Sequence, residues 1–521
     1  MLRRLPSPNG PRIAFATVWG ESSPILTALE SILAVAIRLR GADASSLMCD
    51  RAFPACVRDS LGNHSMSIPA EYALSGLTPH RCRRCVHVIN AYYKQSPIRQ
   101  EQFSRFTQTD DLARIMELVD RLPQERYQTH VYRDIHVGEH AYASAVRETG
   151  RGTLMDSPYH WWLFRRHLIA SILISDLTER MFQTVRPDRL VAPHGIYVDH
   201  GTICEVARRE QIPVVVFSVS YRKDTIMLCH GDTYHKALVT EPHALWENME
   251  LSDTQRERLA GYADSRRRGT HDILTYHPSP VEEHAKIIKE IGLDMTKPVI
   301  SLFSNVMWDA QLYHSYNAFE NMLDWVLKTI DYFLKRPDLQ LVIRVHPAEI
   351  KAEKKSMQPL KTEIENRYPS LPQHIKIVGP ESDISSYSLV DISKATLIYG
   401  TKMGLEIALR GVPVIIAGES MNRGKGFTFD VESVDGYFQL LDRLSDIPRN
   451  TPEMMERAEK YGYHFYFRRQ IDFPFLTDFQ PGFPEKLKLT FDDLSALLPG
   501  RNDNLDLICD GILNGTEFVV P

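Results

Sequence analysis

The sequence predicts an α/β protein made of two Rossmann-like domains facing a cleft. Three observations carry this. Apolar runs of strand length alternate with amphipathic segments of helix length, the pattern of parallel sheets covered by helices. The alternation restarts after a charged, Pro-punctuated stretch in mid-chain. At 521 residues the chain exceeds what one hydrophobic core holds, so two large domains are expected.

In order, RIAFATVW at 12–19 is the first strand. A helix over 24–40 is apolar on one face through Ile25, Leu29, Ile32, Leu33 and Ile37, and RGADASSLMCD adds a turn and a second strand. The loop after the first strand, with Gly20 and Glu21, lacks GxGxxG, so dinucleotide binding is not supported. Residues 98–150 are polar with few strand signals and read as a helical insertion. Residues 156–186 open with the aromatic turn SPYHWWLFRRH and continue as a long apolar helix. RPDRLVAPHG is a strand ending at His194–Gly195, followed by a helix over 199–210 and the strand IPVVVFSVS. The ligand-facing end of this unit carries His194, Tyr197 and His200.

The N-terminal domain is drawn over 1–245 and a charged linker over 246–296. The C-terminal domain, 297–480, begins with KPVISLFSNVMWDA, whose strand ends at Ser304, Asn305, Trp308 and Asp309. Helix 317–335, LQLVIRVHP, helix 349–367, HIKIVGP, a short helix at 383–389, TLIYG, helix 403–410 and VPVIIAG follow. A helical, aromatic stretch from 452 is expected to pack back across the domain boundary, and 481–521 form a tail. Two such halves joined by a linker, without a dinucleotide fingerprint, suggest the GT-B architecture. There the acceptor binds the N-terminal half and a nucleotide sugar the C-terminal half.

Composition excludes some classes. With 43% hydrophobic and 24% charged residues the chain reads as an ordinary globular protein. A net charge of −5 gives no basic field to recruit nucleic acid. The runs Arg81–Arg84, Arg165–Arg166 and Arg266–Arg268 read as solvated faces, or as contacts to an anionic membrane. No secretion signal is recognised and no window offers about 18 uninterrupted apolar residues. The expected location is cytoplasmic, with the inner membrane surface as a candidate station.

Strand ends loaded with polar groups mark a ligand site in such a sheet. RVHPAE ends its strand in Arg344, His346, Pro347 and Glu349. Pro347 pushes His346 out of helical geometry, so its imidazole can meet a phosphate or protonate a leaving nucleotide. YGTKMGLEIALRG places Thr401 as an N-cap, with Lys402, Gly404 and Glu406 on the turn and helix behind it. A helix start favours a phosphate, and Glu406 can accept sugar hydroxyls. Arg423 and Lys425, in the Gly-rich loop after VPVIIAG, suit a pyrophosphate.

The segments SLFSNVMWDA, RVHPAE and YGTKMGLEIALRGVPVIIAG…GKGFTFD resemble the capsule polysaccharide biosynthesis family of bacterial glycosyltransferases, over roughly residues 297–430. The resemblance implies a GT-B enzyme. The His-Pro dipeptide is similar to that of bacterial GT-B sialyltransferases, which would put a phosphate-contacting role on His346 and a related one on Thr401. The family's helix glutamate falls on Glu406. No Gln-Pro dipeptide of the kind seen in Kdo-transferring members is placed. The donor therefore stays open between CMP- and UDP-linked sugars.

Sugar transfer also needs a base for the acceptor and stabilisation of the leaving phosphate. The second is expected from cations and helix ends without a catalytic metal. Candidate bases are Glu21, His194 and Asp199, with Asp309 lining the cleft from the other side. Four of the seven cysteines cluster: Cys49, Cys56, Cys82 and Cys85, the last two as CRRC. They either hold a structural zinc, with His64, His80 or His87 as substitutes, or stand as reduced, unligated thiols.

The expected activity is transfer of a sugar from a nucleotide-sugar donor to a surface-polysaccharide or lipid-linked glycan. A nucleotide-sugar epimerase of the same architecture and a non-catalytic assembly protein are the alternatives. Nucleic acid is not an expected partner.

Overall fold

The computed structural model describes residues 7–20, 23–57, 79–94, 96–273, 276, 279–310, 315–352, 354–477 and 487–521. Two sheets define two domains. The N-terminal sheet contains β1 (Arg12–Thr17), β2 (Asp43–Met48), β3 (Arg99–Gln102), β4 (Arg189–Pro193), β5 (Val214–Val219) and β6 (Thr225–His230). The C-terminal sheet contains β7 (Val299–Phe303), β8 (Gln340–Arg344), β9 (Ile375–Val378), β10 (Ala395–Ile398), β11 (Val414–Ile416) and β12 (Phe429–Asp430). A further strand, β13 (Ile471–Asp472), returns to the first sheet, and Leu476–Thr477 pairs with Lys488–Leu489 in a small sheet of two strands.

The strand orders are β13-β6-β5-β4-β1-β2-β3 and β12-β11-β10-β7-β8-β9. Each contains the doubly wound order 3-2-1-4-5-6, counted within its own domain. The second sheet is parallel throughout; in the first, β6 alone runs antiparallel, to both its neighbours β5 and β13. Buried on both faces, β1 pairs with β2 at Ile13↔Ala44, and β7 with β8 at Ile300↔Leu341. The fold class is thus two Rossmann-like α/β domains. In each, the order reverses beside the first strand, between β1 and β4 and between β7 and β10, and such switch points open a crevice at the strand ends.

Four members of the two large sheets, β3, β6, β12 and β13, are not among the strands read from the sequence. Residues 98–150 contain β3, whose sequence RQEQ has no apolar run because it lies on the sheet edge. The described residues of 471–477 and 487–521 add to the N-terminal domain. Beyond β13, the helix Asp503–Asn514 buries Leu505, Ile508, Cys509 and Ile512 in the N-terminal core, and Phe518 stacks on His230 at 4.5 Å.

Each sheet has its own core. A third apolar cluster spans the domains and joins Met227, Cys229 and Trp246 to Leu405, Ile407, Tyr461 and Phe465. The stretch from 452 therefore does pack across the boundary. The helix Pro158–Val185 has 28 residues but carries Arg165, Arg166, Asp176, Glu179 and Arg180. Among the described residues no helix is long and apolar enough to cross a membrane.

Candidate active site

The N-terminal wall is formed where β4 ends. His194 and Tyr197 take left-handed backbone, with φ of 57° and 71°, as does Gly195 between them. A π-helical turn, Tyr197–Gly201, leads into the helix Thr202–Arg209. Two non-glycine residues at positive φ beside a π turn mark a backbone held against its local preference, as functional sites often are. The His194 ring lies 5.7 Å from Trp19, at the end of β1. Across the same switch point, Tyr221 and Tyr234 are hydrogen-bonded to each other and buried enough to raise both phenols.

Asp199 is not part of that wall. Its side chain has 0% exposure and accepts from the Trp19 indole at 2.6 Å, the Cys56 thiol at 3.3 Å and the His200 amide at 2.9 Å. It is a structural carboxylate that ties β1 to the π turn, which corrects its reading as an acceptor base. His200 is likewise internal, with Nε2 against the Ala16 carbonyl. Glu21 lies outside the described residues.

On the C-terminal wall, the Ser304 hydroxyl accepts from the His346 amide at 3.0 Å, which joins the end of β7 to the His-Pro turn. His346 Nδ1 accepts from the Ala348 amide at 3.1 Å, so the neutral ring carries its proton on Nε2. Tyr276 packs edge-on to this ring at 5.6 Å. Glu349 is 1% exposed; burial lifts its carboxyl to about 7, opposed by the Leu360 amide. Thr401 is not the helix cap itself. Its hydroxyl accepts from the Met403 amide at 3.3 Å, and Lys402 occupies the cap position. Lys402 lays its ammonium 3.7 Å from the centre of the Tyr221 ring of the opposite domain. Burial, helped by nearby Arg266, lowers this amine to about 7.

Four of the predicted donor ligands have other work. Arg344 is buried beneath the strand end, where Nη1 and Nη2 donate to the carbonyls of Gly379 and Ser382, the second at 2.9 Å. Glu406 accepts from Arg266 Nε at 2.8 Å, from Tyr466 at 3.3 Å and from Tyr387 at 2.5 Å. Burial alone would raise it, but Arg266 and Lys402 outweigh burial and hold it below the usual carboxylate value. Arg423 is buried and donates to the Val431 carbonyl at 3.0 Å; Lys425 is buried and donates to that of Val239 at 3.3 Å. Gly404 serves packing, since a side chain there would collide with Asn422 and Ile398. Arg266 was hidden in a basic run that reads as a solvated face. It is buried, and besides Glu406 it pairs with Asp272 at 2.6 Å.

The two walls meet at Asp309. Its carboxylate is bonded by Arg147 and, at 3.2 Å, by the Tyr197 hydroxyl, and Arg147 also donates to that hydroxyl at 2.9 Å. The guanidinium lies over the rings of Tyr197 and Trp308 at 5.0 and 5.3 Å. Partial desolvation at the cleft would raise Asp309, whose side chain is still 56% exposed; Arg147, His235 and His194 outweigh it and lower it. A polar seam continues this contact. Gly150 O accepts from Met357 N at 2.8 Å, Gln358 Oε1 accepts the amides of Gly152 and Thr153 at 3.0 and 3.1 Å, and Arg151 donates to Met357 O at 2.9 Å. Arg147 and Gln358 were missed. The first lies in a helix whose polar sequence shows no strand-end pattern. The second could have been found, because Gln358–Pro359 is a Gln-Pro dipeptide twelve positions after His346.

The clustered cysteines lie at the ends of β1 and β2 in the first sheet, each with its own contacts. Cys56 is directed to Asp199, and Cys85 Sγ accepts from the Gly20 amide at 3.0 Å. Burial, with Cys85 and Cys82 nearby, raises the thiol of Cys49. Among the described residues no group of three or more His, Cys, Asp or Glu is placed to hold a metal. His64 lies outside the described residues.

No family model and no curated protein matches the chain. Solved structures do. The Thermosulfurimonas dismutans KpsC beta Kdo 2,4 transferase matches at 13% identity over 59% of this chain and 86% of its own, with a TM-score of 0.35. UDP-GlcNAc 2-epimerase from Neisseria meningitidis, bound to UDP-GlcNAc, matches at 10% over 87% and 95%, with 0.26. The Methanocaldococcus jannaschii UDP-GlcNAc 2-epimerase in complex with UDP-GlcNAc and UDP gives 10%, 86%, 98% and 0.28. Likenesses this weak carry no argument about activity. The class defined by the chain's own sheets is a two-domain, doubly wound α/β protein with a cleft between its switch points.

Proposed function

We propose that the chain is a glycosyltransferase that moves a sugar from a nucleotide-sugar donor to a glycan acceptor across this cleft. One observation carries the reading. Polar groups at the switch points of both sheets, His194 and Tyr197 on one and Asp309 and Lys402 on the other, come together between the domains, with His346 on the neighbouring strand end.

In this reading the donor phosphate lies between His346 and Lys402. His346 offers its Nε2–H to a phosphate oxygen and Lys402 a positive charge, so the departing nucleotide is neutralised without a metal. His194 is the base for the acceptor hydroxyl, and Asp309 orients it. Glu406 acts indirectly: its ion pair with Arg266 steadies the helix behind Lys402. An epimerase needs a carboxylate free to work beside the sugar, and Glu406 is committed to Arg266.

The test is thermal stabilisation by CMP, UDP, GDP and dTDP. A ligand at a hundred times its Kd adds about 2.7 kcal/mol to the folded state. One nucleotide is expected to raise the midpoint, and His346→Ala to weaken it about tenfold or more, the worth of a charge-assisted hydrogen bond. Absence of any shift in the wild type would favour a non-catalytic protein. Donor turnover without acceptor would favour the epimerase.

Lys402 adds a pH signature. Burial and Arg266 hold its amine down at about 7, and a phosphate beside it stabilises the ammonium. Nucleotide binding at pH 8 should therefore take up a proton, and affinity should fall as pH rises above about 7. Calorimetry in buffers of different ionisation enthalpy reads this directly. Equal uptake by Lys402→Met would remove Lys402 from the site.

A further inference from the structure

The helix Pro158–Val185 begins at a groove of about 510 Å3 lined by Gln124, Asp156, Ser157, Trp161, Trp162 and Arg165. No role assigned above uses it. One short segment joins it to the cleft. Gly152 and Thr153 are held by Gln358 across the domain boundary, and a side chain at Gly152 would strike Met307, two residues before Asp309. At the other end of the segment, the Met155 amide donates to His160 Nδ1 at 2.7 Å, in the first turn of the helix. Residues 151–157 thus lead from the cleft wall to the groove.

Its polar groups are already aimed. The Trp161 indole donates to Asp156 at 2.8 Å, and Arg165 Nε to Asp120 at 2.7 Å. Both indoles are only partly buried. Flat aromatic surface beside a fixed carboxylate, an amide and a hydroxyl is the chemistry that takes a pyranose ring. The C–H face of the sugar stacks on the indole, and its hydroxyls bond the side chains. Charge separates this ligand from others. The cation among the lining residues, Arg165, is neutralised by Asp120, which leaves Asp156. A groove with no positive excess does not select phosphate or an anionic lipid surface.

We propose that this groove is a subsite for neutral pyranose units of the glycan acceptor, remote from the point of transfer. The proposal rests on the glycosyltransferase reading and names its acceptor class. The volume is of the size that encloses a small ligand, so a few sugar units fill it.

The test titrates the full chain with maltohexaose, cellohexaose and chitohexaose, and in parallel with polysialic acid and phosphatidylglycerol vesicles, by tryptophan fluorescence and calorimetry. A neutral hexasaccharide is expected to bind. Trp161→Ala should weaken it about tenfold or more, which is about 1.4 kcal/mol. Trp161→Phe should keep most of the affinity, and Trp162→Ala and Asp156→Asn should each lower it should Trp161→Ala fail to fold. Nucleotide stabilisation should be unchanged in all of them. Failure of every neutral hexasaccharide at millimolar concentration, wild-type binding by the variants, or binding of the anionic probes alone overturns the proposal. Saccharide binding in a chain that binds no nucleotide would overturn the acceptor role and the transferase reading, while the groove stayed a glycan site.

Discussion

Arg266→Ala is expected to cost about 3–5 kcal/mol of folding stability at neutral pH, the loss found when one partner of a buried ion pair is removed. Arg266 sits between two carboxylates, Glu406 and Asp272, and all three side chains are less than 10% exposed. Without the guanidinium, two buried acids face each other with the aromatic rings of Tyr262, Tyr387 and Tyr466 around them. The sign with pH follows. In the wild type Glu406 is depressed, so its contribution is present at neutral pH and lost as pH falls below the ordinary carboxylate value. In the variant the largest charge opposing burial is gone and Lys402 with the Tyr387 hydroxyl remains, so the carboxyl rises from its wild-type value. The destabilisation should then be small near pH 4 and grow as pH rises. Replacing Arg266, Glu406 and Asp272 together by apolar residues of similar volume should cost much less than the single change. Chemical unfolding across pH 4–8 measures all of this. A loss under 1 kcal/mol, or one flat with pH, would mean that the cluster is solvated.

A chain ended after Gln470 is expected to lose its N-terminal domain, although that domain begins at the other terminus. The removed segment contributes Leu505, Ile508, Cys509, Ile512 and Phe518 to the first core, together with Ile471 of β13 and Phe473. At about 1.5–3 kcal/mol for each large apolar side chain, this is on the order of 10 kcal/mol. It matches the whole stability of an ordinary domain. The ion pair of Arg40 with Asp506 and the bond from His230 to the Thr516 carbonyl go with it. Limited proteolysis should then cut within the first 230 residues while residues 297–463 stay resistant. A truncated chain that keeps a single cooperative transition at the wild-type midpoint would sink this account.

What could be read in advance divides along physical lines. Strands β1, β4, β5, β7, β8, β10 and β11 are apolar runs between turn signals, and both switch-point turns stood out because polar groups end an apolar strand. β3 and β13 were missed because an edge strand needs little apolar sequence and two residues give no period. The site was legible as a location and less so as chemistry. Lys402, His194 and Asp309 sit at strand ends and are found between the domains, with His346 on the neighbouring strand end. Arg344, Glu406, Arg423 and Lys425 sit at similar places, yet each is turned to a carbonyl or an ion pair. Which way a long charged side chain folds back depends on partners distant in sequence. Arg147 shows the converse: an arginine on a polar helix becomes central once Tyr197 and Asp309 are brought to it.

The seam that closes the cleft differs in kind from the apolar cluster that joins the domains elsewhere. Around Arg147, Asp309, Gly150 and Gln358 the contacts are mostly hydrogen bonds and an ion pair, whereas Trp246, Leu405, Tyr461 and Phe465 form an oily joint. If the domains part while that joint stays packed, little apolar surface meets water. The heat capacity of opening should then be close to zero, so the balance of open and closed forms should vary little with temperature. Salt, which screens the exposed part of the Arg147–Asp309 pair, should move it instead. The molecule would respond to the ionic strength around it more than to warmth.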